Sequence, residues 1–192
     1  MAAIELFTGK GYAATTINDI LERVGIAKGT FYHHFSAKED VLRAVVLQIV
    51  EQGAARAEQI AAERSRPVPD RVLAIIGSQR LGEADSGLVT SLHEPGNAEF
   101  HLLSHIATVN RLTPIIAGVV REGIAEDLFD VAYPEETVAI LLTAAAFLTE
   151  EGLDDHAPDL DRVMPALIIA AERLFGAAQG TFADRVEILD GD

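Results

Sequence analysis

The 192-residue sequence contains no cysteine, and this absence excludes several kinds of site at once. Without thiols the chain can form no disulfide, zinc ribbon or iron–sulfur cluster, and it has no cysteine nucleophile. A chain without disulfides fits a reducing cytoplasm, where we expect this protein to be located. We also expect it to need no cofactor.

Motifs for two common kinds of site chemistry are missing as well. No serine lies in a nucleophile elbow, and no glycine-rich phosphate-binding loop occurs. We therefore expect no catalytic residues, and an enzyme is the least favoured functional class.

Long hydrophobic runs are also absent. The richest apolar run, from Val138 to Leu148, has 11 residues, whereas a helix that spans a bilayer needs roughly 20. The first residues, MAAIELFTGKGY, lack the charged start and the long apolar core of a signal peptide. The sequence therefore predicts no membrane segment and no membrane partner.

Positive charge is scarce and unevenly placed. The formal net charge is −15, yet residues 1–43 hold five basic and five acidic side chains and are neutral. The rest of the chain holds 10 arginines and 25 acidic residues, and all three lysines, Lys10, Lys28 and Lys38, lie in the neutral segment. This asymmetry indicates a small N-terminal part that tolerates a polyanion and a larger acidic part that repels one.

Helix-forming residues, in contrast, are abundant. Hydrophobic residues make up 49% of the chain and aromatic residues only 6%, while alanine and leucine are frequent. The seven prolines are spaced as breaks between long helices. The composition predicts an all-α fold.

The first 35 residues divide into three short helical patterns, of which AAIELF is the first. Thr16 then caps a helix whose apolar residues follow the i, i+3, i+4, i+7 spacing of an amphipathic helix. Gly25 ends that helix with a tight turn, and a third helix is predicted from Ala27 to His34. Two short helices joined at a glycine have the length and spacing of a helix-turn-helix.

The residue types of the third helix strengthen this interpretation. In a helix-turn-helix the second helix enters the major groove, so its outward positions are small, basic or hydrogen-bonding and its inward positions are apolar. Ile26, Phe31 and Phe35 fit the inward positions. The outward positions hold Lys28, Gly29, Thr30, Tyr32, His33 and His34.

The run ELFTGKGYAATTINDILERVGIAKGTFYHHFSAKEDVLRAVV, from Glu5 to Val46, resembles the DNA-binding domain of the TetR family of bacterial transcriptional regulators. The similarity lies in LF followed by GKGY, in TT with DI after it, in VGIAKGTFY, and in the HF and K that follow. It implies a helix-turn-helix DNA-binding domain over residues 1–45 and a larger helical ligand-binding and dimerisation domain over residues 46–192. Family members usually carry more chain before Leu6, so we expect either a trimmed start or the loss of the contacts that this part makes.

The resemblance also implies roles for individual residues in DNA binding. Lys28 and Thr30 match base-reading positions, and Gly29 allows close approach to the groove. Asn18 matches a position that reaches a base or a phosphate. Phosphate contacts are implied for Thr16, Tyr32, His34 and Lys38, and His33 is expected beside the same DNA backbone.

Longer helices are predicted after the third short one. Ser36 is expected to cap, together with Glu39, a long helix over residues 37–64 that links the two domains. Pro67 and Pro69 mark the clearest break in the chain. Further helices are predicted at residues 68–84, 97–124, 134–151 and 159–176.

Two of the prolines are predicted to affect the shape or the start of these helices, and the last residues of the chain form a separate C-terminal tail. Pro114 is expected to bend its helix, and Pro165 either kinks the last long helix or marks its start. The tail after Gly176 is expected to be loosely held and its acidic end to be solvated.

Polar side chains on the predicted helix 97–124 are candidates for binding a small molecule. His101 and His105 have the i, i+4 spacing of a metal-binding pair, and His93 lies upstream of them. Metal binding, a place in a ligand pocket and a purely structural role all stay open for these histidines, and we assign no metal site. The pocket candidates are His93, Phe100, His101, Ser104, His105, Thr108 and Asn110, with Phe147 on a later helix.

The predicted function is therefore a ligand-responsive transcriptional regulator, a repressor that binds near-palindromic double-stranded operator DNA as a homodimer and is released by a small-molecule effector. In the family the last two helices form a dimeric four-helix bundle, and TVAILLTAAAFL and ALIIAAERLF resemble them; an intrachain core is the alternative. The alternative function is a helical ligand carrier or partner-binding protein that has lost specific DNA binding.

Overall fold

The computed structural model describes residues 2–79, 98–148 and 159–190, and all regular elements in these ranges are helical, which confirms the predicted all-α class. The parts of the predicted helices at residues 80–84, 97 and 149–151 lie outside the described residues. The helices are α1 (Ala2–Lys10), α2 (Ile17–Val24), α3 (Lys28–His34), α4 (Lys38–Ala61), α5 (Val68–Gly77), α6 (Ala98–Ala125), α7 (Pro134–Leu148), α8 (Leu160–Leu174) and a final 3₁₀ helix (Ala183–Asp190).

These residues form two compact units. The first contains residues 2–51 and 98–106, and the second contains residues 52–79, 107–148 and 159–190. Helices α4 and α6 each contribute residues to both units. The domain division expected between residues 45 and 46 stays a prediction.

The core of the first unit is built from the apolar faces of α1 to α4. Phe7, Phe31 and Leu42 are at most 2% exposed, and Ile20 of α2 belongs to the same cluster. Helices as short as α1, α2 and α3 are marginal in water by themselves, so this shared core is what holds them in place.

Both ends of α2 are stabilised as the sequence predicts. The Thr16 hydroxyl accepts a hydrogen bond from the backbone N–H of Asp19 at 3.1 Å, and the Asp19 carboxylate accepts one from the backbone N–H of Thr16 at 2.7 Å. This reciprocal pair is a capping box, with aspartate in place of the usual glutamate. Gly25 ends the helix in the left-handed conformation, with φ of 75°, and its N–H donates to the Leu21 carbonyl.

The start of α4 is held by a different acidic residue from the one predicted. The Asp40 carboxylate accepts hydrogen bonds from the backbone N–H groups of Ser36 at 2.8 Å and Ala37 at 3.2 Å. Glu39 was expected in this role, but Asp40, one position later, reaches back to these amides. Both residues add negative charge to the first turn of the helix, which the helix dipole favours.

The second unit surrounds its own core, to which α5, α6 and α7 contribute. Val68, Ile75, Ile116, Val120 and Val138 are almost fully buried. Three aromatic rings, those of Phe129, Phe175 and Phe182, lie 5.6 to 6.0 Å apart by centroid and close one side of this core.

A buried arginine ties three helices of the second unit together. The Arg71 side chain of α5 is 3% exposed; its Nη1 donates to the carbonyl of Ala61 at 2.9 Å and its Nη2 to the Glu122 carboxylate at 2.7 Å. Arg64 pairs with the same carboxylate. Ala61 is the last residue of α4 and Glu122 belongs to α6, so one guanidinium binds a helix-terminal carbonyl and an acidic side chain of two other helices.

Helices α6 and α8 run through their prolines. Helix α6 extends from Ala98 to Ala125 with Pro114 inside it, and α8 begins at Leu160, so Pro165 does not mark its start. The segment Phe100–Ala125 is long and apolar enough to cross a membrane by length and composition alone. Its buried residues belong to the cores of the two units, as those of a core helix do.

The segment after Gly176 is packed, so the expectation of a loosely held tail is wrong. The buried Glu172 carboxylate accepts hydrogen bonds from the backbone N–H groups of Phe182 at 2.8 Å and Ala183 at 3.0 Å. The 3₁₀ helix lies against α5 so closely that a Cβ on Gly77 would stand 2.9 Å from the Leu189 carbonyl oxygen. Long-range contacts of this kind leave no local signature in the sequence.

Glu172 is therefore predicted to stabilise the second unit in its ionised form. Burial raises the pKa of this carboxyl, but the backbone N–H groups of Ala183, Phe182 and Gly180 lower it by more, so the pKa lies below its ordinary value of 4.5. At pH 7 we expect Glu172→Ala to lower the free energy of unfolding by about 1–3 kcal/mol. Glu172→Gln, which keeps an acceptor oxygen, should have a smaller effect.

Denaturant unfolding measured over a range of pH tests whether the Glu172 carboxylate stabilises the protein in its ionised form. A folded-state pKa below the unfolded value means that the stabilisation is present above pH 4.5 and is lost as the pH falls through the folded pKa. The stability difference between wild type and Glu172→Gln should thus shrink on acidification. A difference that grows below pH 4.5 would contradict this account.

Candidate nucleic-acid interface and apolar cavity

The exposed surface of α3 carries the residues that the sequence analysis places toward DNA. Phe31 is 2% exposed and anchors the helix inward, whereas the next residue, Tyr32, is 47% exposed, with its ring edge to face against that of Phe31. Phe35 and Ile26 are half-buried against the same core, as predicted. The exposed residues of this surface are Lys28, Gly29, Thr30, Tyr32, His33 and His34 on α3, together with Thr16 and Asn18 at the start of α2.

Ring contacts organise the polar side chains of α3. The Lys28 ammonium lies 5.8 Å from the centroid of the Tyr32 ring, one turn further along the helix. The rings of His33 and His34 meet edge to face with centroids 5.0 Å apart. The helix therefore presents a cation and a phenol next to each other, followed by two imidazoles, and all four groups can donate hydrogen bonds.

Neither the backbone conformation nor the packing of the free protein requires a glycine at residue 29. A Cβ built on it has no neighbour within 4 Å, and its backbone is helical. Gly25 differs, because its φ of 75° is one that side-chain-bearing residues rarely adopt. The absence of a side chain at residue 29 instead leaves open space on the outer face of α3.

Thr16 is engaged within the protein. Its hydroxyl and its backbone N–H both lie within 2.8 Å of the Asp19 carboxylate, which the Lys10 ammonium also contacts at 2.6 Å. Hydrogen bonds from Lys10 and from the Thr16 backbone and hydroxyl lower the pKa of Asp19 to about 2. A phosphate at this end of α2 has to compete with an ionised aspartate for the Thr16 donors.

Lys38 also has partners within the first unit. Its Nζ donates to the carbonyls of Tyr12 at 2.8 Å and Thr15 at 2.9 Å, and it lies 4.1 Å from the centroid of the Tyr12 ring. The ammonium thereby fixes the loop between α1 and α2 against the start of α4. The predicted phosphate contact of Lys38 stays a prediction, and this structural role is one that its position in the sequence does not reveal.

The second unit contains a cavity of about 430 Å³. Helices α5, α6, α7 and α8 and the 3₁₀ helix all contribute to its wall, and Gln79 is the hydrogen-bonding side chain among the described residues that line it. The wall consists of Val72, Leu73, Ile76, Gln79, Ile116, Val138, Leu141, Leu142, Ala145, Met164, Leu167, Ile168, Ala171, Phe175, Phe182 and Leu189. An apolar space of this size falls within the range of small-molecule sites.

None of the predicted pocket residues is among the described residues that line this cavity. Phe100 is 3% exposed in the core of the first unit, with its ring 6.5 Å from that of Tyr12 and the Arg43 guanidinium 5.8 Å away. Phe147, on α7, is 49% exposed. Binding of a ligand by these two residues stays a prediction. The candidates were mainly polar side chains, whereas the described wall is almost entirely aliphatic and aromatic.

The remaining candidates on α6 lie outside the cavity wall, and their role in ligand binding stays a prediction. His101, Ser104 and His105 belong to the first unit, Thr108 and Asn110 to the second, and His93 lies outside the described residues. The rings of His101 and His105 meet edge to face, 4.4 Å apart by centroid. Within the ranges that the structure describes, no group of three or more histidine, aspartate or glutamate side chains could hold a metal ion.

One signal for the cavity was present in the sequence. Val72, Leu73, Ile76 and Gln79 recur at the spacing of a single helix face on and just after α5. A stripe of this kind is equally typical of a helix that packs into a closed core. The space left beside the stripe depends on α7, α8 and the 3₁₀ helix, which come from distant parts of the chain.

Comparison with known proteins gives matches over both parts of the chain. Residues 1–45 match the family model for bacterial regulatory proteins of the tetR family, and residues 82–161 match that for the tetracyclin repressor-like C-terminal domain. The transcriptional regulator TcmR of Streptomyces glaucescens is 30% identical over 189 residues, which cover 90% of this chain and 79% of TcmR.

Solved structures agree with these matches. A TetR/AcrR-family transcriptional regulator from Thermobifida fusca is 28% identical, with a TM-score of 0.56 over 91% of this chain and 92% of the other. RolR in complex with resorcinol has a TM-score of 0.63 over 100% of this chain and 90% of RolR. At 18% identity RolR shares the fold alone.

The open space at Gly29 leads to a prediction that separates stability from binding. Gly29→Ala adds a good helix former without a clash, so we expect the free energy of unfolding to rise by up to about 1 kcal/mol. The same methyl group stands on the surface that we predict to approach the groove, so we expect affinity for duplex DNA to fall. Thermal melts and fluorescence anisotropy measure the two effects.

Gly118 on α6 provides the matched control. It is also a helical glycine with nothing within 4 Å of an added Cβ, and it lies in the second unit. Gly118→Ala should therefore stabilise the protein and leave DNA affinity unchanged. Equal DNA affinities for all three proteins would show that residue 29 does not approach DNA.

Proposed function

Since the chain belongs to the TetR family of bacterial transcriptional regulators, we propose that two copies bind operator DNA together through α3 and release it when a small molecule enters the apolar cavity. The chain is a ligand-responsive DNA-binding regulator, and we propose that it represses transcription. The observation that carries the proposal is the exposed surface of α3, which presents Lys28, Thr30 and Tyr32 while Phe31 is buried.

The chemistry of this surface suits duplex DNA. Lys28 can donate to O6 or N7 of guanine, and Thr30 can reach a base edge beside it. Tyr32 and His34 are exposed donors for phosphate oxygens, and His33 lies next to them. The acidic side chains that give the chain its net charge lie mainly beyond residue 43, so the segment that carries α3 is not repelled by the phosphates.

Exposed apolar side chains on α7 and α8 support pairing of two chains. Ile140 is 62% exposed, Phe147 49%, Leu148 43% and Ile169 45%. A second copy that packs the same helices against these side chains removes them from water in a four-helix arrangement with two-fold symmetry. Two α3 helices can then enter successive major grooves, about 34–36 Å apart, on a near-palindromic site.

The cavity of the second unit supports the response to a small molecule. We place the effector there because the wall is apolar and the space has the volume of a small-molecule site. An effector releases DNA only to the extent that it binds the DNA-free conformation more tightly than the DNA-bound one. Helix α4 continues from the first unit into the second and is the proposed route between the two sites.

A DNA-binding titration tests the proposal. Fluorescence anisotropy with duplex DNA from beside the protein's own gene, against a scrambled duplex, should give tighter binding to the first and a strong salt dependence for both. Lys28→Ala should weaken specific binding by about 1–3 kcal/mol because it removes a base contact. Tyr32→Ala should weaken binding to both duplexes because it removes a phosphate contact.

Arg173→Ala is the control for this titration, because it removes one exposed positive charge from the second unit. It should leave both affinities unchanged. Wild-type binding that is indistinguishable between the two duplexes would contradict the regulator mechanism and favour a helical ligand carrier that no longer reads DNA.

Sedimentation of two charge variants tests the pairing of chains. Ile140→Glu places a carboxylate in the proposed apolar interface, so we expect it to sediment as a monomer where the wild type is a dimer. Tyr133→Glu introduces the same charge at a side chain that is 70% exposed just before α7, and it should remain a dimer. A dimeric Ile140→Glu protein would place the interface elsewhere.

A further inference from the structure

We propose that the cavity of the second unit takes a neutral, lipophilic molecule of about seventeen non-hydrogen atoms. This inference rests on the proposed function, in which the same cavity holds the effector, and it adds the chemical class of that molecule. Two properties of the described part of the wall support it: the lack of ionisable side chains and the volume.

The described part of the wall offers no partner for a charge. None of the described residues that line the cavity has an ionisable side chain, and apart from Gln79 and Met164 the lining side chains are hydrocarbon. A carboxylate, phosphate, sulfonate or ammonium group in this space loses its water without gaining an ion pair. The cavity therefore discriminates against charged molecules whatever their apolar part.

The volume sets the size of the ligand. A dry apolar cavity of roughly 150 Å³ takes a molecule the size of benzene, so about 430 Å³ corresponds to about seventeen non-hydrogen atoms. Phe175 and Phe182 contribute ring faces and Met164 an adaptable thioether to the wall, which favours an aromatic or other flat apolar body.

Gln79 is the polar side chain of the described wall, and its amide is engaged with α4 and α5. Its side-chain Nε2 donates to the carbonyl of Ile75 at 3.2 Å, to the Ser78 hydroxyl at 3.0 Å and to the carbonyl of Gly53 at 3.4 Å. Its Oε1 lies so close to Gly53 of α4 that a Cβ on that residue would stand 2.6 Å from it. The ligand class therefore follows from the apolar wall and the volume.

Binding of N-phenyl-1-naphthylamine tests the class of ligand. This fluorescent probe is neutral, has the proposed size and carries one N–H donor. With the full-length protein we expect saturable binding and enhanced emission. 8-Anilinonaphthalene-1-sulfonate, which has the same two aromatic groups and N–H plus a sulfonate, should bind at least about tenfold more weakly, because its charge has no partner in the cavity. Equal or tighter binding of the sulfonate would overturn the inference.

Two variants that fill the cavity locate the probe. Ala145→Phe and Ala171→Met each extend a side chain into the space from a different helix, α7 and α8, and each should reduce probe binding by about tenfold or more. Circular dichroism identifies any variant that fails to fold, and the other then decides. Unchanged binding to a folded variant would place the probe outside the cavity.

These measurements use no DNA, so their failure is distinct from failure of the proposed function. If the probe does not bind as predicted but specific DNA binding is intact, the proposed ligand class is overturned and the proposed function is not. Probe binding as predicted, with no specific DNA binding, would support the ligand class in a protein that is not a working regulator.

Discussion

The proposed DNA-binding surface of α3 depends on the burial of Phe31 in the core of the first unit. Helix α3 has seven residues, too few to persist in water alone, so its position comes from packing. Phe31 supplies that packing within a cluster that contains Phe7, Ile20 and Leu42. With residue 31 fixed inward, helical geometry turns the residues before and after it toward solvent. A truncation such as Phe31→Ala, at a cost of about 3–5 kcal/mol, would remove the surface along with the core.

The second unit differs from the first because its apolar core surrounds a cavity, which has to be held open by the packing around it. The buried Arg71 fixes the end of α4 to α5 and α6, and Glu172 fixes the C-terminal segment whose Phe182 and Leu189 form part of the cavity wall. An apolar cavity forgoes contacts that a filled core would make. A ligand that fills the space restores those contacts, so occupation both stabilises this unit and selects among its conformations.

The sequence was most informative where structure is local. The cap at Thr16, the turn at Gly25 and the inward placement of Phe31 each follow from a few neighbouring residues, and the similarity to a known family rests on the same stretch. The sequence was least informative where distant segments meet. The C-terminal segment, which we expected to be loosely held, is fixed by contacts to α5 and α8, and Phe100 joins a core built mainly from α1 to α4. The cavity arises from the same long-range packing, which local periodicity does not encode.

The two units make one regulator only if occupation of the cavity changes affinity for DNA. The direct measurement is the Kd for duplex DNA from beside the gene, with and without saturating N-phenyl-1-naphthylamine, for the wild type and for Ala145→Phe. If the probe binds the DNA-free conformation more tightly than the DNA-bound one, as proposed for the effector, we expect it to raise the wild-type Kd by about tenfold or more and to leave that of Ala145→Phe unchanged. A wild-type Kd that stays constant while the probe is bound in the cavity would contradict this expectation.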